Sequence, residues 1–78
     1  MDFEFIRVSE KFFDVNNKLW TKTENKERAC SACGGFINAI DKKGNITHFC
    51  YDDLVLSFAY AGAMTEAQRK KFFDEMTY

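Results

Sequence analysis

Apolar and charged positions alternate early in the chain. Phe3-Glu4-Phe5-Ile6-Arg7-Val8 has the period of two expected of a strand with one wet face. Lys11-Phe12-Phe13-Asp14-Val15 and Lys18-Leu19-Trp20-Thr21 follow on either side of Asn16-Asn17. That pair tolerates the positive φ of a tight turn, so the segment predicts a hairpin. Ser9 and Glu10 offer a competing start, the cap of a short helix through Phe12 and Phe13. Residues 22–28 are polar and read as an exposed connection. A second hairpin is predicted where Phe36-Ile37-Asn38-Ala39-Ile40 and Ile46-Thr47-His48-Phe49 flank Asp41-Lys42-Lys43-Gly44-Asn45, with Gly44 supplying the unusual φ. From Tyr51 the period changes. Tyr51, Leu54, Val55 and Phe58 fall at i, i+3, i+4 and i+7, the spacing of a helix face, with Asp52 and Asp53 in its first turn and Gly62 as its C-cap. Thr65-Glu66-Ala67-Gln68 then matches a capping box that opens a last helix through about Met76.

The expected fold class is α+β. An N-terminal β region spans residues 1–28, a zinc-binding hairpin–helix unit residues 29–62, and a C-terminal helix residues 63–78. No repeat, low-complexity tract or linker divides the chain, and proline is absent. Seventy-eight residues with 46% hydrophobic and 29% charged content make one globular domain rather than a disordered tail. A chain this short buries only about 60% of the surface its unfolded form exposes, so a disulfide, a metal or a partner commonly completes it.

Several classes are excluded. No apolar run approaches the roughly 18–20 residues that span a bilayer, and Met1-Asp2-Phe3-Glu4 lacks the basic start of a secretion signal. No membrane association is expected, and a reducing, cytoplasmic setting follows. There, tightly spaced cysteines point to metal or redox chemistry, and the count of 3 cannot pair within one chain. The net charge of −1 lacks the overall electrostatic footprint of a nucleic-acid binder. Positive charge is nonetheless concentrated in the middle, where Lys18, Lys22, Lys26, Arg28, Lys42 and Lys43 face only Glu24, Glu27 and Asp41.

The sharpest chemical feature is C-x2-C-x14-H-x-C, formed by Cys30, Cys33, His48 and Cys50. Zinc prefers four thiolate and imidazole ligands in a tetrahedron. The first pair suits a tight knuckle that Gly34-Gly35 lets the backbone close. His48 and Cys50, at i and i+2 along extended chain, project to one side. Every cysteine and the sole histidine are used. One structural Zn2+ per chain is the leading reading, with iron as another thiolate-accepting ion. A redox CxxC and reduced, unliganded thiols are the competing ones, although no βαβ pattern surrounds the motif. Because metal-binding energy in so small a domain is largely folding energy, loss of Cys33 or Cys50 is expected to unfold it.

On these residues, 30–62 resembles a treble-clef zinc finger, with a CxxCGG knuckle, a hairpin over 36–49 and a helix beside the last ligand. The resemblance implies zinc and a compact hairpin–helix unit. Since treble clefs serve nucleic acids, proteins and nucleases alike, it implies no single function.

Catalysis finds little support. Asp52 and Asp53 on a helix diverge by about 100°, and the histidine is committed to metal. Ser9, Ser31 and Ser57 have no activating partner in the pattern. The chain is not expected to be an enzyme or to take a small-molecule substrate. A nucleic-acid reading places Trp20 as a stacking ring among Lys18, Lys22, Lys26 and Arg28, with Lys42 and Lys43 reaching phosphates from a hairpin tip. A protein-interaction reading rests on 9 Phe, 3 Tyr and 1 Trp. The doublets Phe12-Phe13 and Phe72-Phe73 point apart, and Leu56 and Tyr60 lie off the apolar face of the expected helix, so these six side chains are candidates for a partner or homodimer surface. The expected role is a zinc-stabilised interaction module, a regulator or inhibitor of a larger partner. In size and composition the chain resembles small phage-encoded proteins that modulate host machinery.

Overall fold

The computed structural model describes residues 1–25 and 35–76. Lys26, Arg28, Cys30, Cys33 and most of the connection after Asn25 lie outside the described residues. Short strands β1 (Lys11–Phe13), β2 (Leu19–Lys22), β3 (Ala39–Ile40), β4 (Ile46–Thr47) and β5 (Leu56–Ser57) form one antiparallel sheet in the order β4-β3-β2-β1-β5. A single helical turn, α1 (Phe58–Ala61), leads from β5 towards the longer α2 (Glu66–Met76).

Both predicted hairpins form, each for the expected reason. Asn17 takes a φ of 67°, and the Asp14 carboxylate accepts from the Asn16 and Lys18 amides at 2.9 Å, closing the β1–β2 turn. Gly44 takes a φ of 86° at the β3–β4 tip. There the Asp41 carboxylate accepts from the Lys43 and Asn45 amides, from Asn45 Nδ2 and, at 2.9 Å, from Lys18 Nζ. Burial pushes the Asp41 carboxyl up, but these donors, Lys18 foremost, outweigh it and hold the group well below the usual carboxylate range. The capping box before α2 is also as expected: Thr65 Oγ1 accepts from the Gln68 amide at 3.1 Å, and Gln68 Oε1 from the Thr65 amide at 2.8 Å.

Two expected elements are replaced. The first segment is not a strand. Phe3–Phe5 make a 3-10 turn that sends Phe3 and Ile6 inward together, while the Phe3 and Glu4 amides donate to the Asp53 and Tyr51 carbonyls at 2.9 Å. The predicted helix over 51–62 is reduced to its last turn. Leu54 and Leu56 face one side of the sheet and Val55 the other, the period of a strand buried on both faces. An uninterrupted apolar run fits that pattern as well as a helical one, and pairing with β1 decides it. Gly62 does end α1, though in the right-handed conformation.

Each face of the sheet carries its own core. On one, Phe12, Trp20 and Ala39 pack with Phe3, Ile6 and Val55, and Phe49 closes the cluster. The Phe12 ring lies edge-on to both Phe3 and Phe49, at 5.3 and 5.1 Å. On the other face, Phe13 and Leu56 meet Ala61 and Phe73 under α1 and α2. Arg69 fastens α2 by donating to Asn17 Oδ1 at 2.6 Å and lying 4.0 Å over the Phe13 ring.

Candidate functional site

This two-sided sheet takes up most of the side chains expected at a partner surface. Phe12, Phe13, Leu56 and Phe73 are all buried. Neighbours in a strand do point apart, but here each direction leads into a core, so neither member of the first doublet is left wet. Of the six candidates only Tyr60, 66% exposed, is fully on the surface, with Phe72 half-buried beside it at a ring separation of 6.3 Å. Two further large apolar side chains are comparably exposed. Phe5 and Tyr51 are 62% and 70% exposed on segments tied by the Glu4–Tyr51 backbone bond. The expected strand over 3–8 and helix over 51–62, on which they were placed, are not formed.

The nucleic-acid set fares unevenly. Trp20 is buried, with its Nε1–H donating to Asp14 Oδ2 at 2.9 Å, so no face of its ring is presented to a base. Lys18 is paired with Asp41, and the Lys22 ammonium donates to the Ile6 carbonyl over the Phe3 ring. Lys42 and Lys43 are exposed at the hairpin tip as expected. Lys26 and Arg28 lie outside the described residues.

The second half of the cysteine–histidine motif is brought together. Asn38, buried beside β3, acts through its side chain as a further strand position. Its Oδ1 accepts from the Phe49 amide at 2.8 Å and its Nδ2 donates to the Phe49 carbonyl at 2.9 Å. With Phe49 also anchored in the aromatic core, the flanking residues have a fixed direction. His48 and Cys50 point the same way, and Nε2 and Sγ stand 3.4 Å apart. His48 Nδ1 lies 2.7 Å from the Phe36 carbonyl oxygen. A carbonyl only accepts, so Nδ1 donates there, and Nε2 is the ring nitrogen that faces Cys50 Sγ. Gly35 lies against the ring so closely that a Cβ there would meet His48 Cε1 at 2.0 Å. The backbone at Gly35 therefore runs directly beside the imidazole.

After Cys50 the backbone turns rather than beginning a helix. The Cys50 amide donates to Asp53 Oδ2 at 2.8 Å, and the Asp53 amide to the Cys50 carbonyl at 3.1 Å. Asp53 is thus a turn residue, and the helix beside the last ligand that a treble clef implies is not formed. Among the described residues no group of three His, Cys, Asp or Glu side chains converges. Cys30 and Cys33, the other two candidate ligands, lie outside those residues. Asn38 and the Phe36 carbonyl are positioning elements that the sequence pattern did not single out, since neither has a ligand's chemistry; Gly35, singled out there for backbone freedom, lies against the imidazole. A surface depression of about 550 Å³ includes His48, Cys50, Phe36, Tyr51 and Asp52.

A different depression, of about 570 Å³, lies over the outer part of the sheet, where Lys11, Lys18, Lys42 and Lys43 surround Leu19 and Ile40. Among the described residues no helix is long and apolar enough to cross a membrane. No family model, curated protein or solved structure matches the chain.

Proposed function

We propose that the chain is a small protein-interaction module in which one structural zinc ion, ligated by Cys30, Cys33, His48 and Cys50, fastens the 30–35 knuckle to the 48–50 segment. The observation that carries this reading is the His48–Cys50 pair. Two ligands on one tetrahedral zinc, at bond lengths of about 2.0 and 2.3 Å, stand about 3.5 Å apart. The Nε2–Sγ separation is 3.4 Å. The Nδ1 contact to the Phe36 carbonyl supports the same reading, because metal-bound histidines characteristically give their second N–H to a carbonyl or carboxylate. Gly35 against the imidazole supports a close approach of the knuckle.

Four protein ligands fill the tetrahedron, so the ion acts on the fold rather than on a substrate. The interaction role is supported by Phe5 and Tyr51 beside the site and by Tyr60 with Phe72 on the helical side, large rings left at the surface of a small domain. A stoichiometric regulator or inhibitor is the role this combination suits. The test is zinc content with and without the ligands: one equivalent bound by the natural chain, and none by Cys33→Ser or Cys50→Ser. Equal metal in all three would sink the proposal.

A further inference from the structure

Half of one sheet face is bare. The register aligns Lys11, Thr21, Ile40 and Ile46 in one row across β1, β2, β3 and β4, and Leu19 lies two positions along β2 from Thr21, on the same face. Further along that face Phe13 and Leu56 are sealed under α1 and α2. Among the described residues no helix covers the row: Ile46 in it is 57% exposed and Leu19 beside it 36%. Lysines ring this apolar floor, Lys11 at one end, Lys18 from the β1–β2 turn, and Lys42 and Lys43 from the β3–β4 tip. Asp41 also lines the depression, but its carboxylate is buried and saturated by four donors. Among the described residues, Lys11, Lys42 and Lys43 have no carboxylate within 4.0 Å.

We propose that this lysine-ringed groove docks an acidic, apolar-bearing polypeptide segment of a partner protein, an inference that rests on the interaction reading and specifies the partner's chemistry. Charge complementarity selects an anion, since three unpaired ammonium groups repel one another across a depression of this size. The floor selects a polypeptide. Carboxylates on alternate positions can reach the lysines while the side chains between them cover Leu19, Ile40 and Ile46. A polynucleotide would bring the charge but finds no open ring to stack on: Trp20 also lines the depression, yet it is buried, with its Nε1–H on Asp14 and the Lys18 ammonium 4.3 Å over its ring. A small anion would leave the apolar floor wet.

The test uses the full chain, ¹⁵N-labelled, as isolated under reducing conditions. It is titrated with the capped peptide Glu-Leu-Glu-Phe-Glu-Leu-Glu, with its lysine-for-glutamate counterpart, and with a short oligothymidylate. The acidic peptide is expected to shift the amides of Leu19, Thr21, Ile40 and Ile46, more weakly as salt rises. Lys42→Glu with Lys43→Glu, at an exposed turn that leaves the cores alone, is expected to weaken it at least about tenfold. No shift at low salt, equal shifts from the lysine peptide, or tighter binding of the oligothymidylate at these residues would overturn the proposal. So would concentration-dependent shifts of the same amides in the protein alone, which would assign the groove to a second copy. Zinc content measured on the same sample separates the two readings. A zinc-bound chain that ignores the peptide ends the groove and leaves the zinc module standing; a metal-free chain that binds it does the reverse.

Discussion

Gly35 offers a direct probe of how the backbone beside His48 constrains the imidazole. Alanine there would place its methyl carbon 2.0 Å from His48 Cε1, 2.6 Å from Nε2 and 2.8 Å from Nδ1. Non-bonded carbons settle at about 3.5 Å, so the ring must retreat by roughly 1.5 Å. It cannot do so and keep both the 2.7 Å contact to the Phe36 carbonyl and the 3.4 Å approach to Cys50. Among the described glycines only Gly44 has positive φ, so at Gly35 the methyl contact is the whole cost. Overpacking of this kind costs about 1–3 kcal/mol, which in a domain of this size lowers Tm by about 4–24 °C. Metal affinity should fall in step, by about 10–100-fold, the range seen when a ligand's outer support is disturbed. The assay is a double-mutant cycle: thermal melts and cobalt titrations of the natural chain, Gly35→Ala, His48→Ala and the double variant. Removing the imidazole removes the clash, so Gly35→Ala should cost close to nothing on the His48→Ala background. An equal loss of stability on both backgrounds would refute the contact as the cause.

Three further outcomes follow from the cores, the cap and the buried carboxylate. Phe12→Ala and Phe13→Ala should each cost about 3–5 kcal/mol and leave little folded protein in urea titrations, whereas Phe5→Ala should stay within about 0.5 kcal/mol; comparable effects at positions 5 and 12 would contradict the two-sided core. Thr65→Ala removes the side-chain acceptor for the Gln68 amide and should cost about 1 kcal/mol, read by circular dichroism melts. Asp41 is ionised far more readily folded than unfolded, so its contribution is complete above about pH 5 and lost as pH falls below about 4 towards the folded value. Asp41→Asn should therefore be less stable at neutral pH and show a shallower acid loss between roughly pH 4 and 2; parallel profiles for the two proteins would rule that linkage out.

Local chemistry was the legible part of the sequence. Asn17, Gly44 and Thr65-x-x-Gln68 act through their own backbone or within three or four residues, and each behaves as its type dictates. The same holds for His48-x-Cys50, where two residues of extended chain suffice to aim both side chains together. What failed depends on partners distant in sequence. Leu54-Val55-Leu56 carries both a helical and a strand reading, and only β1 arriving from 40 residues upstream selects the strand. Phe12-Phe13 was expected to leave one ring wet because the sequence does not reveal that both faces of the sheet are covered at β1. The lysine-ringed groove is invisible for the same reason: its residues come from positions 11, 18, 42 and 43, and cross-strand register alone assembles them.

Native mass spectrometry of the chain, purified under reducing conditions and measured before and after a strong chelator, is the most direct test of the zinc site. The account predicts one zinc per chain, removed by the chelator and absent from Cys50→Ser. A metal-free mass from a chain that folds equally well with or without added zinc would contradict it, and would return Cys30, Cys33 and Cys50 to redox or packing roles.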